Sequence, residues 1–215
     1  MNPWDEAYRR GIPPPWDIGR PQPVFVALVE AGEITGRVID VGCGTGENAL
    51  MAADHGLDVV GIDVAPTAVE RARAKAAERR LAERSVAVDF EVWDALELAR
   101  LAERLGAFEN AIDSAVFHTF SDEERPRYAE SVAAAVRPGG RLFLMCFSEH
   151  EPDWGGPRRV TQAEIRMAFS TERGWAVESI ETARFGINKD HPAIGRQSSA
   201  EGAQAWLARI LRLSP

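Results

Sequence analysis

The chain has 215 residues, 45 % of them apolar, with 25 Lys and Arg against 33 Asp and Glu and a formal charge of −8. That length suits one domain with a small lid or insertion, and an acidic chain without a basic run is a poor candidate for gripping nucleic-acid phosphates. No stretch is long and apolar enough to span a bilayer, the first residues lack a basic-then-apolar leader, and Cys43 and Cys146 make no disulfide framework, so a cytoplasmic protein is expected.

Residues 1–23 are rich in Trp, Pro and Tyr and read as a lid segment, the alternative being a terminal arm that only packs on the core, with Pro13-Pro14-Pro15 holding it extended. From 24 to 147 strand and helix signals alternate. Val38–Val41 is a short β-branched strand that ends in glycines. Glu47–Asp54 is helical in pattern and stops at Gly56. Asp58–Asp63 is a second strand, and Pro66 opens a helix that continues over Thr67–Arg80. Val86–Trp93 is a third strand, and Leu96, Leu98, Leu101 and Leu105 mark a helix ended by Gly106. Ala111–Phe117 is a fourth strand. Ser121 and Glu124 have capping-box spacing, although Pro126 conflicts with a regular helix there. Arg137-Pro138-Gly139-Gly140 is a turn before a fifth strand, Leu142–Phe147.

Residues 148–215 form the third zone. Thr161 and Glu164 repeat the capping-box spacing, which predicts a helix to about Ser170. Trp175–Ile180 and Ala205–Ile210 read as strands, with a long loop over Thr182–Gly202. The alternation predicts a mostly parallel sheet with helices on both faces. Ligands of such sheets bind at the carboxyl ends of the strands.

The first strand runs into Gly42-Cys43-Gly44-Thr45-Gly46, and a helix follows. Glycines let the backbone turn sharply and approach a ligand, and amides at the helix start face it. Asp63 ends the second strand, where nucleotide-binding α/β folds place an acid on the ribose. Together these point to an adenosine-containing cofactor. A phosphate loop would end in Gly-Lys-Ser/Thr, and a dinucleotide fingerprint needs two residues between its second and third glycines. This loop has neither, and Glu47 adds negative charge.

Val38–Gly46 resembles the first motif of class I S-adenosylmethionine (SAM)-dependent methyltransferases. Val60-Gly61-Ile62-Asp63, Trp93-Asp94-Ala95 and Val136–Gly140 resemble later motifs of that superfamily, in the same order. The resemblance implies a Rossmann-like α/β fold with a seven-stranded, mostly parallel sheet whose last strand is antiparallel. It implies that Gly42, Gly44, Thr45 and Gly46 shape the methionine side of the SAM pocket. Asp40 would support that loop or meet the SAM amino group through water. Asp63 with Val64 would hold the ribose, and Asp94 with Ala95 the adenine. Asp113 and Ser114, at the end of the fourth strand, are further cofactor candidates. Asp94 also fits a helix N-cap.

Pro14–Pro23 and Asp113–His118 are similar to small-molecule enzymes related to thiopurine and thiol methyltransferases, and most of all to mycobacterial benzoquinone or heterocyclic toxin methyltransferases. An aromatic lid suits a sulfonium, because aromatic faces attract cations. Trp16 is therefore expected on the cofactor and Tyr8 near the acceptor. Phe117, Phe120, His150 and Trp154 are expected to line a flat, apolar acceptor pocket. His118 follows the fourth strand and is the candidate general base, although a structural histidine suits that place equally. No residue spacing defines a metal site. A SAM-binding regulator without turnover and an NAD-dependent oxidoreductase stand as alternatives, the latter opposed by the loop spacing.

Overall fold

The computed structural model describes residues 2–82, 87–153, 155–188, 191 and 202–214. Helices α1 (Pro3–Arg9) and α2 (Pro23–Glu30) precede an alternating core. That core runs β1 (Arg37–Val41), α3 (Glu47–Asp54), β2 (Asp58–Asp63), α4 (Pro66–Leu81), β3 (Val88–Val92), α5 (Leu98–Leu105), β4 (Phe108–Ser114), α6 (Glu124–Ala135) and β5 (Val136–Phe147). Helix α7 (Gln162–Ala168) and strands β6 (Trp175–Phe185) and β7 (Ala203–Arg212) complete it.

The strands form a seven-stranded sheet in the order β3-β2-β1-β4-β5-β7-β6. β1 to β5 pair in parallel, and β7 runs antiparallel between β5 and β6. Successive side chains of a strand face opposite ways. Val38 accordingly enters the core layer under α2, α3 and α4, while Ile39 enters the layer under α5, α6 and α7. The strand order reverses between β1 and β4. Such a switch point opens a crevice at the strand ends.

Five local readings change, the first being that β5 starts at Val136, so the expected turn Arg137–Gly140 falls inside it, at an irregularity in the pairing with β4. The front end is not extended throughout, because Pro3 occupies the first helical turn of α1 and Asn2 caps Trp4 N–H. Pro126 sits in the first turn of α6, where a missing N–H costs no intrahelical bond. The reciprocal Ser121–Glu124 bonds do form just ahead of it. β4 stops at Ser114, so Phe117 lies on the 3₁₀ turn Phe117–Thr119. β6 and β7 pair from Trp175–Arg212 out to Phe185–Ala203, which takes several residues from the expected long loop.

Candidate active site

The glycine loop is built by backbone shape. Gly42, Gly44 and Gly46 adopt φ of +67°, +54° and +87°, a region costly for other residues. A β-carbon on Gly42 would fall 2.1 Å from Cγ2 of Val116, so the loops after β1 and β4 touch there. One on Gly44 would fall 2.8 Å from the Tyr8 hydroxyl. Asp63 holds the loop from β2. Its Oδ2 accepts from Gly44 N–H and its Oδ1 from Ala65 N–H, each at 2.8 Å. Burial raises its pKa, against the pull of these amides.

The arm of residues 2–22 closes over this loop. Asn2 donates to the Val64 carbonyl at 2.6 Å, and Asp5 accepts from Thr67 N–H at 2.8 Å. Arg71 donates to the Tyr8 carbonyl at 2.6 Å. The Trp16 indole N–H donates to the Tyr8 hydroxyl at 2.9 Å, and the Thr45 hydroxyl donates to Asp17 at 3.1 Å. Tyr8 is buried, and burial first, then the charge of Asp63, pushes its phenol pKa up.

Beneath the arm lies a cavity of about 730 Å³, within the ~300–1,000 Å³ typical of small-ligand pockets. Its lining includes Tyr8, Trp16, Gly42, Gly44, Thr45, Asp63, Val64, Trp93, Ala95 and Ser114, from the arm and the ends of β1 to β4. It also includes Val116, His118, Thr119, Phe120, Phe147, Phe185 and Ile187, from the turn after β4 and the ends of β5 and β6. His118, Phe147 and Phe185 cluster there, with ring centroids 4.7 Å apart for His118–Phe147 and 5.3 Å for Phe147–Phe185.

Several expected site residues do not line the cavity. Asp40 is fully buried, and its Oδ2 accepts from Ala49 N–H at 3.1 Å, an amide of the first turn of α3. Its Oδ1 has no partner, and burial pushes its pKa to about 8. A β-carbon on Gly46 would meet Phe90 and Ala72, so that glycine lets α4 and β3 pack closely. Asp94 is exposed and caps the next turn by accepting from Leu96 N–H at 2.9 Å. Asp113 accepts from Val116 N–H, Phe117 N–H and, at 2.7 Å, the Tyr128 hydroxyl. It thereby fixes the turn that carries His118, while burial lifts its pKa to about 6.

On the acceptor side, Phe117 points into the core against Tyr128 and Phe169, and His150 is exposed with its ring against Trp206. Trp154 lies outside the described residues. His118 is buried, and its Nδ1 accepts from Phe147 N–H at 3.0 Å. Burial, then the charges of Arg159 and Arg125, lowers its pKa to about 3. A nitrogen already committed to a backbone amide is a poor general base, which counters the expectation for His118. Ala115, just before it, has φ +78°, the one positive-φ residue other than glycine among those described. Such strain clusters at functional loops. Sequence reading passed over Phe147 and Phe185, which end β5 and β6. The rule that sites gather at strand ends would have found Phe147.

A sheet of this order, with such a loop after its first strand and an acid ending its second, is the fold of SAM-dependent methyltransferases. A family model described as "Thiopurine S-methyltransferase" matches residues 1–208, and the chain belongs to that family. It is 36 % identical over 195 residues, covering 87 % of this chain and 82 % of the relative, to a 2-heptyl-1-hydroxyquinolin-4(1H)-one methyltransferase of Mycobacteroides abscessus. It is 31 % identical over 198 residues to thiocyanate methyltransferase 1 of Brassica oleracea, covering 90 % and 83 %. A solved structure described by the conversion of a disulfide bond into a thioacetal group during echinomycin biosynthesis matches with TM-score 0.81 and 33 % identity. It covers 98 % of this chain and 91 % of that one. Among the described residues no group of His, Cys, Asp and Glu could hold a metal ion, and no helix is long and apolar enough to cross a membrane.

Proposed function

We propose that this chain transfers the methyl group of SAM to an O, N or S atom of a small aromatic or heterocyclic molecule in the cytoplasm. Bound SAM supplies an electrophilic methyl on a sulfonium. Gly42, Gly44, Thr45, Asp63, Val64, Ala95 and Ser114 hold the cofactor, with Tyr8 and Trp16 closing over it. Asp40, Gly46 and Asp113 keep that wall in shape from behind, and Asp94 caps the turn that carries Ala95. The protein's share is to align the acceptor and exclude water, both functions of an enclosed site.

The observation that carries this reading is the aromatic wall of His118, Phe120, Phe147 and Phe185 in the same cavity as the glycine loop. Flat apolar molecules suit such walls. The relatives named for a hydroxyquinolinone and for thiocyanate support a small acceptor. The test is release of S-adenosylhomocysteine with a panel of quinones, phenols, N-heterocycles and thiols. Turnover of at least one supports the reading. Tight SAM binding with no turnover across the panel would leave a SAM-binding regulator instead.

A further inference from the structure

His118 lines the cavity beside Phe147 and Phe185. Its Nδ1 accepts from Phe147 N–H at 3.0 Å. A neutral imidazole carries one proton, so a ring whose Nδ1 accepts must carry it on Nε2. The ring is flanked by Phe147 and Phe185, and the Ala115 carbonyl of its own loop accepts a hydrogen bond from it, a bond the Nε2–H must share with any ligand in the cavity. Two guanidiniums disfavour a second proton, Arg159 over the Phe147 ring and Arg125 over the Phe117 ring. The carboxylates on the cavity wall have other work. Asp17 and Asp63 hold Thr45 and Gly44, and Glu47 is paired with Lys75 at 2.5 Å. His191 lines the cavity from the segment after β6.

We propose that His118 is a hydrogen-bond donor to the acceptor and not its base. The substrates are then molecules whose acceptor atom carries no proton at neutral pH: an ionised hydroxyl oxygen or thiol sulfur, which has lone pairs for both the hydrogen bond and the methyl, or an unprotonated ring nitrogen, whose one lone pair takes the methyl while the donor meets another polar atom of the same molecule. The proposal rests on the methyl-transfer reading above. The acceptor's lone pair forms the new bond to carbon, and the electrons of the broken C–S bond stay with sulfur. An anionic acceptor leaves neutral, a ring nitrogen leaves cationic, and no proton passes to the protein. The donor Nε2–H selects molecules that present a lone pair or negative charge to it.

Two measurements test this. The first needs no turnover. In ¹⁵N-labelled protein, long-range ¹H–¹⁵N couplings identify the His118 tautomer, assigned by its loss in His118→Asn. The Nε2–H form, unprotonated from pH 5 to 8, is expected. An Nδ1–H form, or titration inside that range, overturns the proposal. The second uses an acceptor series of graded acidity. Wild-type kcat/KM should follow each acceptor's own ionised fraction. His118→Asn, whose amide oxygen can still accept from Phe147 N–H, should lower kcat/KM about tenfold for every acceptor, with SAM affinity unchanged. His118→Gln, which places an amide donor near Nε2, should recover part of that loss. Efficient turnover of acceptors that stay protonated, abolished selectively in His118→Asn, would mean a base after all. If nothing turns over while SAM still binds, the methyl-transfer reading fails and the couplings alone decide the ring.

Discussion

The side-chain amide of Gln22 pairs with the peptide groups of Gly186, Nε2 donating to the carbonyl at 3.0 Å and Oε1 accepting from the N–H at 2.8 Å. Gln22 N–H also donates to Asn48 at 3.0 Å. The foot of the arm is thus tied both to α3, behind the glycine loop, and to the segment leaving β6 beside Phe185. Gln22→Ala leaves two part-buried groups of Gly186 without partners, a loss of about 1–3 kcal/mol. The expected outcome is a lower Tm and a raised acceptor KM, with a smaller change in SAM Kd. An unchanged acceptor KM would detach Gln22 from the acceptor wall.

Gly44 combines φ +54° with a hydroxyl 2.8 Å from its missing β-carbon. Gly44→Val must strain the loop by about 1–2 kcal/mol and push Tyr8 away from Trp16. SAM binding, measured by calorimetry, should be lost while the circular dichroism of the sheet survives. Normal affinity in this variant would mean that the loop and Tyr8 do not border the cofactor.

Asp63 has two tasks. Both of its oxygens already take backbone amides, and each oxygen has a further lone pair for a ribose hydroxyl. Asp63→Ala should therefore cost both SAM affinity, by tenfold or more as expected for roughly 1.5–3 kcal/mol per charged hydrogen bond, and Tm. Asp63→Asn retains one acceptor oxygen and should fall between. If Tm drops and SAM affinity does not, Asp63 only shapes the loop.

The cofactor half of the site was legible because its signals are local. A β-branched run, alternate glycines and an acid one strand later follow from backbone geometry, and Asp63 and Gly44 meet as that pattern implies. The acceptor half depends on tertiary packing. Phe117 and Phe120 look equivalent in sequence, yet the 3₁₀ turn after β4 sends Phe117 into the core and leaves Phe120 on the cavity. Phe185 was hidden because β6 extends only by pairing with β7, whose partner residues are distant in sequence. The Gln22–Gly186 pair spans the chain, and no local pattern announces it.

Stability should respond to pH through three buried groups of two signs. His118 falls from 6.5 to about 3 on folding, so its contribution is present above pH 6.5 and is lost as pH falls toward about 3. Asp113 and Asp40 rise from 3.8 to about 6 and about 8, so theirs is full below 3.8 and is lost as pH rises through those values. In His118→Asn the acid-side loss disappears and the two aspartates remain. The Tm of wild type minus that of the variant should therefore shrink between pH 7.5 and pH 5. A gap that is constant across that range would mean that His118 titrates normally in the folded protein.

Trp16 is 38 % exposed yet lines the cavity, and its indole N–H meets the Tyr8 hydroxyl while its ring sits edge-on to Trp4 at 5.7 Å. Its outer face gains little from burial, so removing it should cost less stability than removing a core aromatic. Its inner face closes the cofactor end of the cavity, and water entering there would weaken the alignment of acceptor and sulfonium. Trp16→Ala should lower kcat/KM strongly with a small change in Tm. Trp16→Phe keeps a ring but not the N–H, so it should lie between and show whether the wall or the bond to Tyr8 matters more. Because α1 is held by Asn2, Asp5 and Arg71 independently of Trp16, both variants should keep the arm's helix. A fall in Tm as large as for a core aromatic, with kcat/KM per folded molecule unchanged, would make the arm a packing element and not a lid.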